Sequence, residues 1–152
     1  TIYQEHLDRT TASLMARDFA AFRETIALPH RMSTETATQV ITSVEEMECT
    51  FHKFADKYNE IGVTDFLRIA KEAYFHAEDD IRGIHESHLI RHGTRLIPPY
   101  PNRVRLKRCA DGIWRETHCA NAILNCDCRF HLWAEVAETP HLPDLDIDPE
   151  RT

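Results

Sequence analysis

The sequence contains no apolar run approaching the roughly 20 residues a helix needs to cross a bilayer. Its opening, Thr1-Ile2-Tyr3-Gln4-Glu5, lacks the basic region and following apolar stretch of an export signal. These two absences predict a cytoplasmic protein without membrane contact. Excess positive charge is missing as well: 18 Lys and Arg stand against 25 Asp and Glu, for a net charge of −7. Nonspecific nucleic-acid binding relies on neutralising phosphates, so no nucleic-acid partner is expected. Cysteines are few and odd in number, at positions 49, 109, 119, 126 and 128, which favours reduced thiols over a disulfide framework. There is no internal repeat and no sign of a second domain. The 152 residues suffice for one core.

The most legible element is a helix from Ser43 to Gly62. Ser43 and Glu46 form an S-x-x-E capping box, and Gly62 supplies a left-handed stop. Between them Val44, Met47, Phe51, Phe54, Tyr58 and Ile61 recur at three- and four-residue spacing, which marks a buried stripe. Two shorter helices precede it. Tyr3, Leu7, Thr10 and Leu14 share one face of a helix expected to run to Arg17, and Asp18 can cap a second one bearing Phe19 and Phe22. Strands are expected at Ile26 to Thr34, where Pro29 suits an edge or bulge, and at Thr38 to Thr42.

After Gly62 the period changes to two. From Val63 to Ala77, Leu67, Ile69, Ala73 and Phe75 fall on one face and Arg68, Glu72 and His76 on the other, with Lys71 an exception on the apolar side. A turn at Glu78-Asp79-Asp80 leads to a strand from Ile81 to His92, and Pro98-Pro99-Tyr100-Pro101 makes a stiff connector. Val104 and Leu106 oppose Arg103, Arg105 and Lys107, a basic strip read as the solvated side of a strand. Asp111-Gly112 is a hairpin turn into Ile113-Trp114-Arg115. Beyond it the even positions from Ala120 to Val136 are nearly all apolar and are expected to face the helices. Residues 1–138 therefore form the predicted domain, and 139–152 an acidic, Pro-containing tail.

This order of elements, the Arg17-Asp18 junction with Phe19 and Phe22, the capped third helix and the Asp111-Gly112-Ile113-Trp114-Arg115 hairpin resemble the NTF2-like superfamily. That group includes SnoaL-like polyketide cyclases, ketosteroid isomerases and scytalone dehydratase. The resemblance implies an α+β cystatin-like cone, with three N-terminal helices packed in a strongly curved antiparallel sheet of four to six strands. It further implies a pocket for a small hydrophobic ligand or substrate, and a homodimer formed through the outer sheet face. It does not carry the isomerase chemistry across. The positions aligned with the isomerases' phenol donor and carboxylate base fall near Thr10 and Thr34, and their protonated aspartate near Val104, Arg105 and Leu106. Hydrocarbon and hydroxyl groups there cannot abstract a proton or stabilise an enolate.

The chemistry that remains rests on histidines and acids. An imidazole held against a carboxylate in a dry cavity can act as a general acid or base. His85, Glu116 and His118 are the catalytic candidates, because Glu116 and His118 alternate onto the same side of one strand as Trp114. Phe22, His30, Phe54, Tyr58, Tyr74, His88 and Trp114 are the candidate pocket lining. Cys126-x-Cys128 with His131, and Cys119 or His118 upstream, offers soft ligands, but the spacing suits buried thiols on a strand better than zinc, so neither metal nor cofactor is expected. Two functions stay open: a cofactor-independent lyase, isomerase or cyclase, and a noncatalytic ligand-binding or dimerisation module.

Overall fold

The computed structural model describes residues 1–125 together with 134, 135 and 142. Cys126, Cys128 and His131, most of the expected apolar row beyond 125, the domain boundary at 138 and nearly all of the 139–152 tail lie outside the described residues. Helix α1 spans Ile2–Met15, capped by the Thr1 hydroxyl, which accepts from the Gln4 amide; it buries Tyr3, His6, Leu7, Thr10, Ser13 and Leu14. It stops two residues short of the expected Arg17, which adopts a left-handed backbone with φ of 56°. That reversal lets Asp18 cap the Ala21 amide at the start of α2, Phe19–Arg23, and Arg17 pairs with Asp56. Helix α3 covers Val44–Ile61 between the Ser43 cap and Gly62, whose φ of 78° is the left-handed stop the sequence predicts.

The strands are β1 (Ile26–Ser33), β2 (Thr38–Ile41), β3 (Asp65–Ala77), β4 (Asp80–Arg91), β5 (Thr94–Arg95), β6 (Tyr100–Arg108), β7 (Trp114–Asn121), β8 (Leu124–Asn125) and β9 (Ala134–Glu135). Seven of them form one open sheet in the order β2-β1-β7-β6-β4-β3, with β5 added beside β4, and β8 pairs with β9. The sheet is mixed: β1 runs parallel to β7, whereas the other pairs are antiparallel. Pro29 sits not on an edge but where β1 slips register against β7, the bulge alternative, so its missing amide donor falls where the pairing is already broken.

Three slips decide what faces inward. Between Ala70 and Glu72, β3 gains one residue, Lys71, over β4; between Glu116 and His118, β7 gains Thr117 over β6; and β1 slips between Ile26 and Arg31. An extra residue reverses the alternation of a strand. The expected row Leu67, Ile69, Ala73, Phe75 is thereby split. Leu67 and Ile69 point outward, 47% and 42% exposed, while Arg68 faces in. Past the bulge, Ala73 pairs with Gly83 and Phe75 with Ile81 on the helix side, where the Phe75 ring meets Trp114.

The core fills the space between sheet and helices. Tyr3 and Leu7 of α1 pack on Ile81, Val104, Leu106 and Cys119, and Phe51, Ala55 and Tyr58 of α3 pack on Leu14 and Leu89. Each fully buried side chain of this size contributes roughly 1.5–3 kcal/mol. Gly83 sets how closely α1 can approach. A Cβ there would lie 2.6 Å from the Tyr3 ring and 2.8 Å from the Glu72 carbonyl oxygen. We expect Gly83→Ala to lower stability by about 1–3 kcal/mol through overpacking, read as a reduced urea midpoint at unchanged slope.

Candidate functional site

A cavity of about 110 Å3 lies between the helices and the inner sheet face, several times the roughly 10–15 Å3 one water requires. Its wall is mostly apolar: Leu14, Phe22, Ile26, Met32, Ile41, Met47, Phe54, Phe66, Cys119 and Ile123 contribute. Polar groups enter at two regions. One holds His30 and Glu116, and the other holds Arg68, Tyr58, Ser87, Tyr100 and Asn102.

Glu116 is the centre of the first region. Its Oε1 lies 3.1 Å from His6 Nε2 and its Oε2 lies 2.7 Å from His30 Nε2. Glu116, His6 and His30 are all buried, and they come from β7, α1 and β1 respectively. A carboxylate accepts only, so both imidazoles donate through Nε2–H. Burial opposes ionisation of Glu116, but the hydrogen bonds from His30 and His6 hold the acid well below the usual carboxylate range. His6 also supports Thr10, whose hydroxyl donates to the His6 carbonyl at 2.8 Å. His30 lines the cavity, whereas His6 stands behind Glu116. An imidazole at the wall is thus held by a carboxylate, and a second imidazole fixes that carboxylate.

The second region is a row across the sheet. Ser87 donates to Asn102 at 2.6 Å, and Asn102 donates to Asn121, which also accepts from the Cys119 thiol at 3.4 Å. Arg68 lies over the Phe66 ring, with its guanidinium carbon 5.8 Å from the centroid. Burial pushes the Tyr100 phenol up to about 12 and the Tyr58 phenol well above its usual value, so both keep their protons as donors at neutral pH.

Of the three catalytic candidates, only Glu116 reaches the cavity wall. His118 does not share its face, because the Thr117 bulge turns it to the opposite side beside Arg105. There it bonds Thr117 at 2.9 Å, and burial with the nearby Arg105 charge pushes it down to about 4. The same bulge lets Glu116 and Cys119, three residues apart, line one cavity, and it replaces the expected even row by Cys119, Asn121 and Ile123. His85 is fully buried beneath α1, away from the cavity lining, its Nδ1 2.8 Å from the Tyr3 hydroxyl. Burial and the Arg68 charge hold His85 well below the usual imidazole range, and burial raises Tyr3; the phenol therefore donates to a neutral ring.

Phe22, His30, Phe54 and Tyr58 line the cavity. Tyr74 is 51% exposed past the β3 bulge, and Trp114 packs on the α1 core beside Phe75. His88 alternates away from His85 and bonds Glu86 at 2.8 Å. The sequence reading missed His6, Arg68, Asn102 and Asn121. His6 had a signal, since it lies three residues after Tyr3 and four before Thr10 on the apolar face of α1. Arg68 stands opposite the apolar row in the alternation of its strand. The basic strip does face outward: Arg105 pairs with Asp80 and Arg108 with Asp79. Among the described residues no cluster of His, Cys, Asp and Glu has metal-binding geometry, and no helix is long and apolar enough to cross a membrane.

The architecture matches solved proteins. A candidate ketosteroid isomerase from Shewanella frigidimarina superposes with a TM-score of 0.59 at 16% identity, over 78% of this chain and 93% of that one. An NTF2-like protein of unknown function from Shewanella oneidensis gives 0.62 at 12% identity, over 78% and 93%. An NTF2-like protein with a cystatin-like fold from Novosphingobium aromaticivorans gives 0.57 at 16% identity, over 84% and 83%. The chain has the NTF2-like, cystatin-like α+β fold. No family model matches its sequence, and no curated protein matches it significantly.

Glu116→Gln leaves one buried imidazole without an acceptor, and we expect it to cost roughly 3 kcal/mol near pH 7. The native carboxyl is depressed, so the stability it supplies is complete above the unfolded value and is lost as pH falls. The gap between wild type and Glu116→Gln in urea unfolding should accordingly narrow from about pH 5 to about pH 2. Nitrogen-15 NMR should find His85 as the neutral Nε2–H tautomer at pH 6, where a solvated histidine is mostly charged.

Proposed function

We propose that this chain is a cofactor-independent acid–base catalyst that moves a proton on a small, largely apolar molecule held in the cavity, as a lyase, isomerase or cyclase does. The observation carrying this reading is the 2.7 Å contact from His30 at the cavity wall to a buried, ionised Glu116. With Nε2–H committed to Glu116, His30 presents Nδ1 as the base. The proton leaves a substrate carbon for Nδ1, and the carbon's electron pair moves into an adjacent carbonyl. The imidazolium so formed is balanced by the Glu116 carboxylate beside it. Return of the proton to another carbon completes an isomerisation; loss of a β-substituent completes an elimination. Glu116 here is a positioning residue, since both of its oxygens are occupied by imidazoles.

The likeness to a candidate ketosteroid isomerase supports the reaction class while the residues differ. A noncatalytic binding module is the second reading, favoured by the closure of the Glu116 network on itself. Incubation with cyclic ketones and enones in deuterium oxide separates the two. The catalyst incorporates deuterium at an activated carbon, His30→Gln loses at least about a hundredfold of that rate, and a pure binding module incorporates none above buffer. A second copy of the chain is the partner we expect on the outer face of β3, where Leu67 and Ile69 are exposed. Leu67→Glu should shift the sedimentation coefficient toward the monomer.

A further inference from the structure

Strand β3 is inside out at its cavity end. Leu67 and Ile69 are turned to the surface, 47% and 42% exposed, while the arginine between them enters a chamber whose wall is mostly apolar. An edge strand free to choose its register would bury the two hydrocarbons and solvate the guanidinium. This register is instead fixed from outside β3. Gln4 of α1 reaches the open edge, donating to the Arg68 carbonyl at 2.8 Å and accepting from the Ala70 amide at 2.8 Å, and β4 pairs Arg68 with Ser87.

The charge so placed has no ion pair among the described residues and lies over the Phe66 ring. Among the described residues Glu116 is the only carboxylate lining the cavity, and its two oxygens already accept from His6 and His30. A half-buried guanidinium facing apolar walls is strongly favoured by an anion, above all a carboxylate, whose planar oxygen pair matches its donor fork.

We infer that Arg68 anchors the carboxylate of a bound molecule, so that the cavity takes small amphipathic carboxylic acids with the hydrocarbon part against Phe22, Phe54 and Met47. The inference rests on reading the cavity as the ligand site. It also orients the ligand. Arg68 on β3 and His30 on β1 are separated by four strand spacings, roughly 19 Å measured along the sheet, so the anchored acid lies at one end and the carbon facing His30 at the other.

Calorimetric titration of the full chain at pH 7 with cinnamate and octanoate, each against its primary amide, tests this. The carboxylates should bind at least about tenfold more tightly than the amides, the worth of one charged hydrogen-bonded contact. Arg68→Met, which keeps the apolar stem, should erase that preference, and Arg68→Lys should retain part of it. Equal affinity for acid and amide, failure of both acids to bind, or an undiminished preference in Arg68→Met would overturn the anchor. His30→Gln keeps this test apart from the catalytic reading. It should preserve the preference for acids while losing deuterium exchange, and a wild-type protein that prefers acids yet exchanges nothing would retain the anchor and lose the catalyst.

Discussion

A carboxylate taken out of water needs donors for both oxygens, and Glu116 obtains them from two histidines that are far away in sequence. His6 belongs to the first helix and His30 to the first strand, and Glu116 follows the last hairpin. Satisfying one buried charge therefore ties the N-terminal helix, β1 and β7 together at a single point. Removing Glu116 leaves both imidazoles without their acceptor, and removing either histidine leaves one carboxylate oxygen without its donor, each more costly than the net contribution of the complete arrangement. The cavity is bounded by the same elements, so the interaction that holds them also fixes the chemistry of the wall.

The bulges serve that arrangement. Without the extra residue at Thr117, Glu116 and Cys119 would face opposite ways, and the acid could share a side with His118 instead of with the cavity. The extra residue at Lys71 in β3 lets Arg68 face the chamber near one end of the strand while Phe75 joins the helix side near the other. Each slip changes which residues are chemical and which are surface without changing the fold. The NTF2-like architecture can therefore be shared at low sequence identity while its inward-facing groups differ, because function depends on the site placed on a fold.

The two polar regions of the chamber differ in character. At His30 and Glu116 both carboxylate oxygens meet imidazole donors from within the protein. At Arg68 the positive charge is held over an aromatic face with neutral phenols and amides nearby. Burial keeps Tyr58 and Tyr100 protonated, so this end presents donors and a cation toward the apolar middle. The chamber is thus polarised from one end to the other.

By itself the sequence determined the helices and the order of elements, because their signals are local. Ser43, Glu46 and Gly62 bound a helix through hydrogen bonds within one turn, Asp18 caps the next residues along the chain, and Asp111-Gly112 reverses it. The same local logic marked Phe22, Phe54 and Tyr58 as inward-facing and Val104 and Leu106 as core. Only the tertiary structure decided that His30 meets Glu116, that His85 and His118 stand elsewhere, and that Arg68 points in. The reason is parity: a period-two reading assumes an unbroken strand, and one inserted residue, visible only as a register against a neighbouring strand, exchanges the two faces from that point on.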